Sequence, residues 1–163
     1  PIEQTSESVT AGVEHLLQSL GKVTTRVSDV AGFVANRLQF ALFQESMRMV
    51  DEGSATPELI DEVVRNSFGF RLPFFGPFAG ADMAGLDVYV GAYESLSKAY
   101  GERYAVPASL VERVKSGNLG LKSGGGFTGM DTLQREEIAL YRNRAYAALA
   151  KLREEIGPPP GRD

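Results

Sequence analysis

DVAGFVANRLQFALFQESMRMVDEG, residues 29–53, opens with a short polar lead and an Ala-Gly pair and then runs into a long patterned segment. Phe33, Val34, Leu38, Ala41, Leu42, Ser46, Met47 and Val50 recur at three- and four-residue spacings. That spacing predicts a helix of about six turns with a wide apolar stripe. So broad a stripe places the helix inside a bundle, with the other elements packed on it. Gly53 is expected to stop it by taking up left-handed backbone without a Cβ clash. Asn36 and Arg37 stand near its start among large apolar neighbours, so they most need a reason.

The flanking segments read as further helices. Thr5 or Ser6 caps a first helix with Glu7 in its first turn, a buried face of Val9, Val13, Leu16, Leu17 and Leu20, and Gly21 at its end. Residues 22–27, KVTTRV, are too short and too β-branched for a helix and read as an extended connector. Thr56 caps and Pro57 opens a third helix with Leu59, Ile60, Val63, Val64 and Phe68 inward and Gly69 expected just past its end. From Pro77 a helix interrupted at Gly85 reaches about Tyr100, and a short one over residues 107–115 is ended by Gly117. A last helix starts at Asp131 or Thr132 and continues to about Ile156, with Arg and Glu outward, before a frayed GPPPGRD tail. Short loops and successive amphipathic helices without β-α-β alternation predict an all-α helical bundle.

With 163 residues, 43% of them hydrophobic, the chain suits a single core. The net charge of -4 and the lack of a concentrated Lys/Arg face argue against nucleic acid or an anionic membrane as partner. There is no cysteine, hence no disulfide and no thiolate chemistry, which fits a reducing cytoplasm. No apolar run approaches the ~20 residues of a membrane span and no basic-then-apolar leader opens the chain, so the expectation is a soluble intracellular protein.

Several residues carry possible chemistry. His15 is the only histidine, and with no carboxylate or serine placed to orient it, it is not assigned a catalytic role. Residues 68–78, FGFRLPFFGPF, are either a hydrophobic plug or an apolar wall of a ligand cleft. Arg71 within them could reach a phosphate or carboxylate, or pair with a structural acid. Asp82 and Asp87 could form a two-carboxylate site, but no other ligand or histidine sits nearby, so a structural role is the stronger reading. Lys122 precedes three glycines, yet a Walker loop needs the lysine after them and a helix at once, so it reads as a solvated lysine or as a point charge for an anion.

Residues 29–53 also resemble the signature of the 3-hydroxyacyl-CoA dehydrogenase family's C-terminal domain, D-x-P-G-F-[IV]-x-N-R-L followed by E-A-x-x-[LM]-x-x-x-G. Three further stretches fall in that family's order: ATPELID at 55–61, GPFAGADMAGLDV at 76–88 and GLKSGGGF at 120–127. The resemblance covers roughly residues 5–128, with Ala31 where the pattern has proline and Thr128 where an aromatic follows Phe127. It implies a 6-phosphogluconate dehydrogenase C-terminal domain-like helical fold over residues 1–130, with 131–163 an added helix and tail of the same domain.

The resemblance further implies reversible NAD-dependent oxidation of an L-3-hydroxyacyl-CoA in fatty acid metabolism. Asn36 takes the place of the active-site asparagine, Lys122 the place of the lysine that reaches the dinucleotide, and Pro77 and Phe78 of the G-P-F motif border the substrate, with Phe33 and Arg71 as further candidates for substrate binding. The resemblance also implies that Asp82 and Asp87 cap and turn helices. Arg37 is expected to pair with an acid such as Asp61 or Glu45. No metal is implied. The Gly-rich turn that holds NAD and the His and Glu that handle the proton belong to an N-terminal Rossmann domain and map onto no residue here, so this chain alone is expected to be inactive. A homodimer is expected through these helices. Carnitine- and gulonate-type dehydrogenases share the scaffold. The alternative reading is a stand-alone helical module that binds an acyl-CoA or a protein and does no chemistry.

Overall fold

A computed structural model describes residues 1–158 and 160. Eight α-helices carry the fold among them: α1 Glu7–Ser19, α2 Ala35–Asp51, α3 Pro57–Asn66, α4 Phe68–Arg71, α5 Pro77–Ala84, α6 Leu86–Tyr100, α7 Ala108–Lys115 and α8 Arg135–Ile156. No strand is present among the described residues, only one isolated bridge between Gly120 and Gly125. The all-α expectation holds. Packing divides the chain into two units, Pro1–Asp61 and Glu62–Asp163.

In the first unit, Ser6 caps α1 by accepting from the Val9 amide, so of the two candidates the serine does the work. Arg26 in the connector fastens it to α1, donating to both carboxylate oxygens of Glu14 at 2.6 and 2.7 Å and to Glu7 at 3.0 Å. These donors hold the Glu14 carboxyl below its ordinary range. α2 is shorter than the periodicity suggested. The backbone at Gly32 and Phe33 is left-handed, with φ of 76° and 47°, and the helix can begin only after that turn. Gly53 ends this segment with φ of 70°, as expected.

The apolar stripes of α1 and α2 correct the expectation of burial. No residue of either helix is buried, and Leu38 is 57% exposed. Periodicity identifies which side of a helix is apolar, but not whether the atoms that cover that side belong to the same chain.

The second unit holds the core. Leu86, fully buried, packs with Ala81 and Leu110, ringed by Val90, Tyr93, Val106, Val114 and Phe127. Gly85 breaks α5 from α6 with φ of 106° and ψ of 126°, the interruption expected. α3 ends at Asn66, and Gly69 lies inside α4 instead of past a helix end. A Cβ at Gly69 would stand 2.5 Å from the Val64 carbonyl oxygen, so the glycine serves a close approach and not a left-handed cap.

α8 closes an aromatic cluster within this unit. Tyr146 meets Phe70 edge-on at 5.6 Å and Phe75 at 6.4 Å, and Tyr141 meets Phe75 at 5.7 Å, which leaves Phe75 8% exposed. For Phe70, Phe74 and Phe75 the plug reading therefore prevails over the cleft wall. Asp131 caps the entry to α8 in a capping box with Gln134, and Gly157 ends it with φ of 77°. The expected frayed tail over 157–163 lies largely outside the described residues.

Candidate functional site

Asn36 is the second residue of α2. Val34, not Asn36, occupies the cap position, and it offers no side-chain bond. Asn36 is exposed, and among the described residues its amide has no hydrogen-bond partner. Capping does not explain this asparagine. Phe33 beside it is half exposed in left-handed backbone, a conformation that costs a bulky L-residue roughly 1–2 kcal/mol. Glu45 pairs with Arg48 at 3.1 Å.

In the second unit the Gly-rich loop of residues 120–127 is held by Asp82, which is 1% exposed. Its Oδ1 accepts from the Phe127 amide at 3.0 Å, and Oδ2 accepts from the Thr128 amide at 2.7 Å and the Thr128 hydroxyl at 2.6 Å. Its backbone carbonyl accepts from Leu121 at 2.9 Å. A side chain at Gly120 or Gly126 would collide with Asp82, so these two glycines let the loop lie against the residue that holds it. Arg113 adds a second fastening, donating to the Gly126 carbonyl at 2.7 Å and lying 4.3 Å over the Phe127 ring. Thr128 thus has a positive role where the resemblance led one to expect an aromatic.

Lys122 projects from this loop to the α5–α6 break, where its ammonium pairs with Asp87. A Cβ at Gly85 would come within 2.8 Å of Lys122 Nζ, so glycine leaves room for the lysine. The ammonium holds the Asp87 carboxyl below the usual range, and partial desolvation opposes it. Asp82 and Asp87 therefore hold structure and do not form an acid/base pair. One is a hydrogen-bond acceptor for three donors, and the other is an ion-pair partner.

The remaining predicted residues lie around this loop or apart from it. Pro77 opens α5 after Gly76, and Phe78, 57% exposed, packs against Phe127 at 4.9 Å. Arg71 ends α4, exposed and without an ion pair among the described residues. Lys122 and Phe78 thus meet elements of one loop, whereas Arg71 does not join them. Sequence reading missed Arg113 and the full role of Asp82. Both act on partners far along the chain, and only the glycines at 120 and 126 hinted at so close a contact. Among the described residues no cluster of His, Cys, Asp or Glu could hold a metal, and no helix is long and apolar enough to cross a membrane.

The family model for "3-hydroxyacyl-CoA dehydrogenase, C-terminal domain" matches residues 32–129. The chain belongs to the 3-hydroxyacyl-CoA dehydrogenase family. The matched residues contain Asn36, the Asp82 clamp and Lys122. A probable 3-hydroxybutyryl-CoA dehydrogenase of Bacillus subtilis is 40% identical over 124 residues, 76% of this chain and 42% of its own length. The 5-formyl-3-hydroxy-2-methylpyridine 4-carboxylate 5-dehydrogenase of Mesorhizobium japonicum is 31% identical over 153 residues, 93% of this chain and 50% of its own. A solved 3-hydroxyacyl-CoA dehydrogenase of Archaeoglobus fulgidus superposes with a TM-score of 0.75 at 31% identity, over 95% of this chain and 52% of that one. The chain spans about half the length of the relatives it matches. Membership in a family of dehydrogenases does not favour the non-catalytic module.

Proposed function

We propose that this chain is the substrate-side and pairing half of an NAD-dependent L-3-hydroxyacyl-CoA dehydrogenase of the cytoplasm, acting in fatty acid metabolism. In this reading residues 1–130 form the helical dehydrogenase domain and 131–163 a further helix and tail of the same domain, and the family match ends at residue 129. The observation that carries the reading is Asn36, exposed in the first turn of α2 with an amide that no described residue engages. Such an amide, on a helix start fixed by the Gly32-Phe33 turn, can donate to the 3-oxygen of a substrate and hold the reacting carbon in place.

Phe33 and Phe78 offer exposed rings to the apolar part of the substrate, Pro77 shapes the wall beside Phe78, and Arg71 offers an unpaired guanidinium to an anionic group. NAD, when bound, accepts the hydride. Lys122 fits an edge contact to an anion: it is a single ammonium on a flexible stem, already balanced by Asp87, and has to exchange or share that carboxylate. A Gly-rich strand-turn-helix for the pyrophosphate is not among the described residues, and an N-terminal Rossmann domain is the source proposed for it. On its own this chain is then inactive.

The test is Asn36→Ala in the protein at its native length. NAD affinity is expected to hold, while turnover falls on the order of 10²-fold, as when one preorganised donor is removed. Equal turnover of variant and parent overturns the assignment. A second reading has one specific support: the pyridine carboxylate dehydrogenase is 31% identical over 93% of this chain. In that reading the same scaffold oxidises a ring-bearing acid that is not a CoA ester, and parallel assays with both substrate types decide between them.

A further inference from the structure

A pocket of about 250 Å³ opens between the end of α5, the Gly-rich loop and the first turns of α8. Its floor is Met83, Leu121, Ile138 and Ala139, and its edge carries the cations Lys122, Arg135 and Arg142. Positions 135, 138, 139 and 142 follow a spacing of three, four and seven, so one face of α8 presents an arginine at each end of a short apolar strip. Two helical turns separate the arginines, a rise of roughly 10 Å, within which two long side chains can close on one anion.

The acids near the pocket are occupied or point elsewhere. Asp87 is taken by Lys122, and Asp131 accepts from the Leu133 amide and the Thr132 hydroxyl. Glu136 and Glu137 follow Arg135 directly on α8, at offsets that do not face it. Arg142 donates to the neutral Asn143 amide oxygen at 3.0 Å, and Arg135 has no hydrogen bond or ion pair among the described residues. Two guanidinium charges therefore border an apolar hollow without a carboxylate to balance them, in a chain whose net charge is negative. So local a charge does not suit a nucleic acid, which needs a basic face. Guanidinium pairs match phosphate oxygens, and the floor asks for carbon.

We propose that this pocket binds a small organic phosphate, with its phosphoryl groups on Arg135 and Arg142 and its carbon portion over Leu121 and Ile138. Both arginines lie beyond residues 32–129, the span that the family model matches. It does not rest on the dehydrogenase reading. The phosphate can come from a CoA thioester, from a dinucleotide or from solution, and titration separates these sources.

The experiment is calorimetric titration of the protein at its native length with CoA, NAD and inorganic pyrophosphate, in parent, R135Q/R142Q and R135K/R142K, with thermal melts to verify folding. At least one organic phosphate is expected to bind at low salt, with affinity cut tenfold or more by the glutamine pair and partly restored by the lysine pair. Loss of CoA binding alone assigns the pocket to the thioester carrier, and loss of NAD binding alone assigns it to the dinucleotide. Equal affinities in all three proteins, no binding, or a loss confined to pyrophosphate each overturn the proposal. None of these outcomes touches the Asn36→Ala result, so the two readings fail separately.

Discussion

At the scale of single residues, Asp82 and Thr128 show how few atoms fix the loop that carries Lys122. Thr128→Val keeps the shape and removes a donor to a buried carboxylate, which is expected to cost about 1.5–3 kcal/mol in urea unfolding. Asp82→Ala leaves the Phe127 and Thr128 amides without acceptors and is expected to cost about 3 kcal/mol or more. A Thr128→Val protein as stable as its parent would show the hydroxyl bond to be incidental. Local chemistry was legible in the sequence: a cap at Thr5 or Ser6, Thr56 accepting from the Leu59 amide with Pro57 opening α3, Gly53 and Gly85 all agree with the structure because each acts on its own neighbours. Gly69 was misread because its reason, the Val64 carbonyl, appears only after α4 has folded back on α3. Asp82 was read as a cap because the amides it serves follow some 45 residues later.

At the scale of elements, α8 shows where pattern stops deciding. Its amphipathic spacing could not say whether it packs on its own chain or on another, and Tyr141 and Tyr146 on the 70–75 cluster settle that these contacts are its own. A chain ended at residue 130 exposes Phe75 and is expected to lose several degrees or more of thermal stability in its monomeric form. An unchanged melt would make the aromatic contacts superficial. Helix ends also set the response to acid. Asp87, held low by Lys122, and Asp131, held low by the Leu133 amide and Thr132 hydroxyl, have folded values below their unfolded ones. Their contribution is complete above the unfolded value of roughly 4 and is lost as pH falls through the folded values. Thermal midpoints are expected to stay level from neutral pH to about 4.5 and drop below that, and Asp87→Asn is expected to make the drop shallower.

At the scale of the molecule, the exposed stripes of α1 and α2 are the largest unmet demand. Val9, Leu16, Val34 and Leu38 each expose more than half of their surface, more than isolated apolar side chains on a soluble surface require. A second copy of the chain is the occupant expected from the family reading. Light scattering in the micromolar range is expected to give about twice the 17.6 kDa of the chain, and Leu38→Asp to return it toward one. A monomer at high concentration would remove the pairing role. The fold class was legible because helical period survives in any context. The extent of burial was not, because it depends on atoms outside the string of residues.

Backbone fastened at Leu121, at Gly126 and again at Phe127 and Thr128 leaves only the short span 122–125 between fixed points. Any adjustment to an arriving anion must then come from the four-carbon arm of Lys122 letting go of one carboxylate and reaching for another charge.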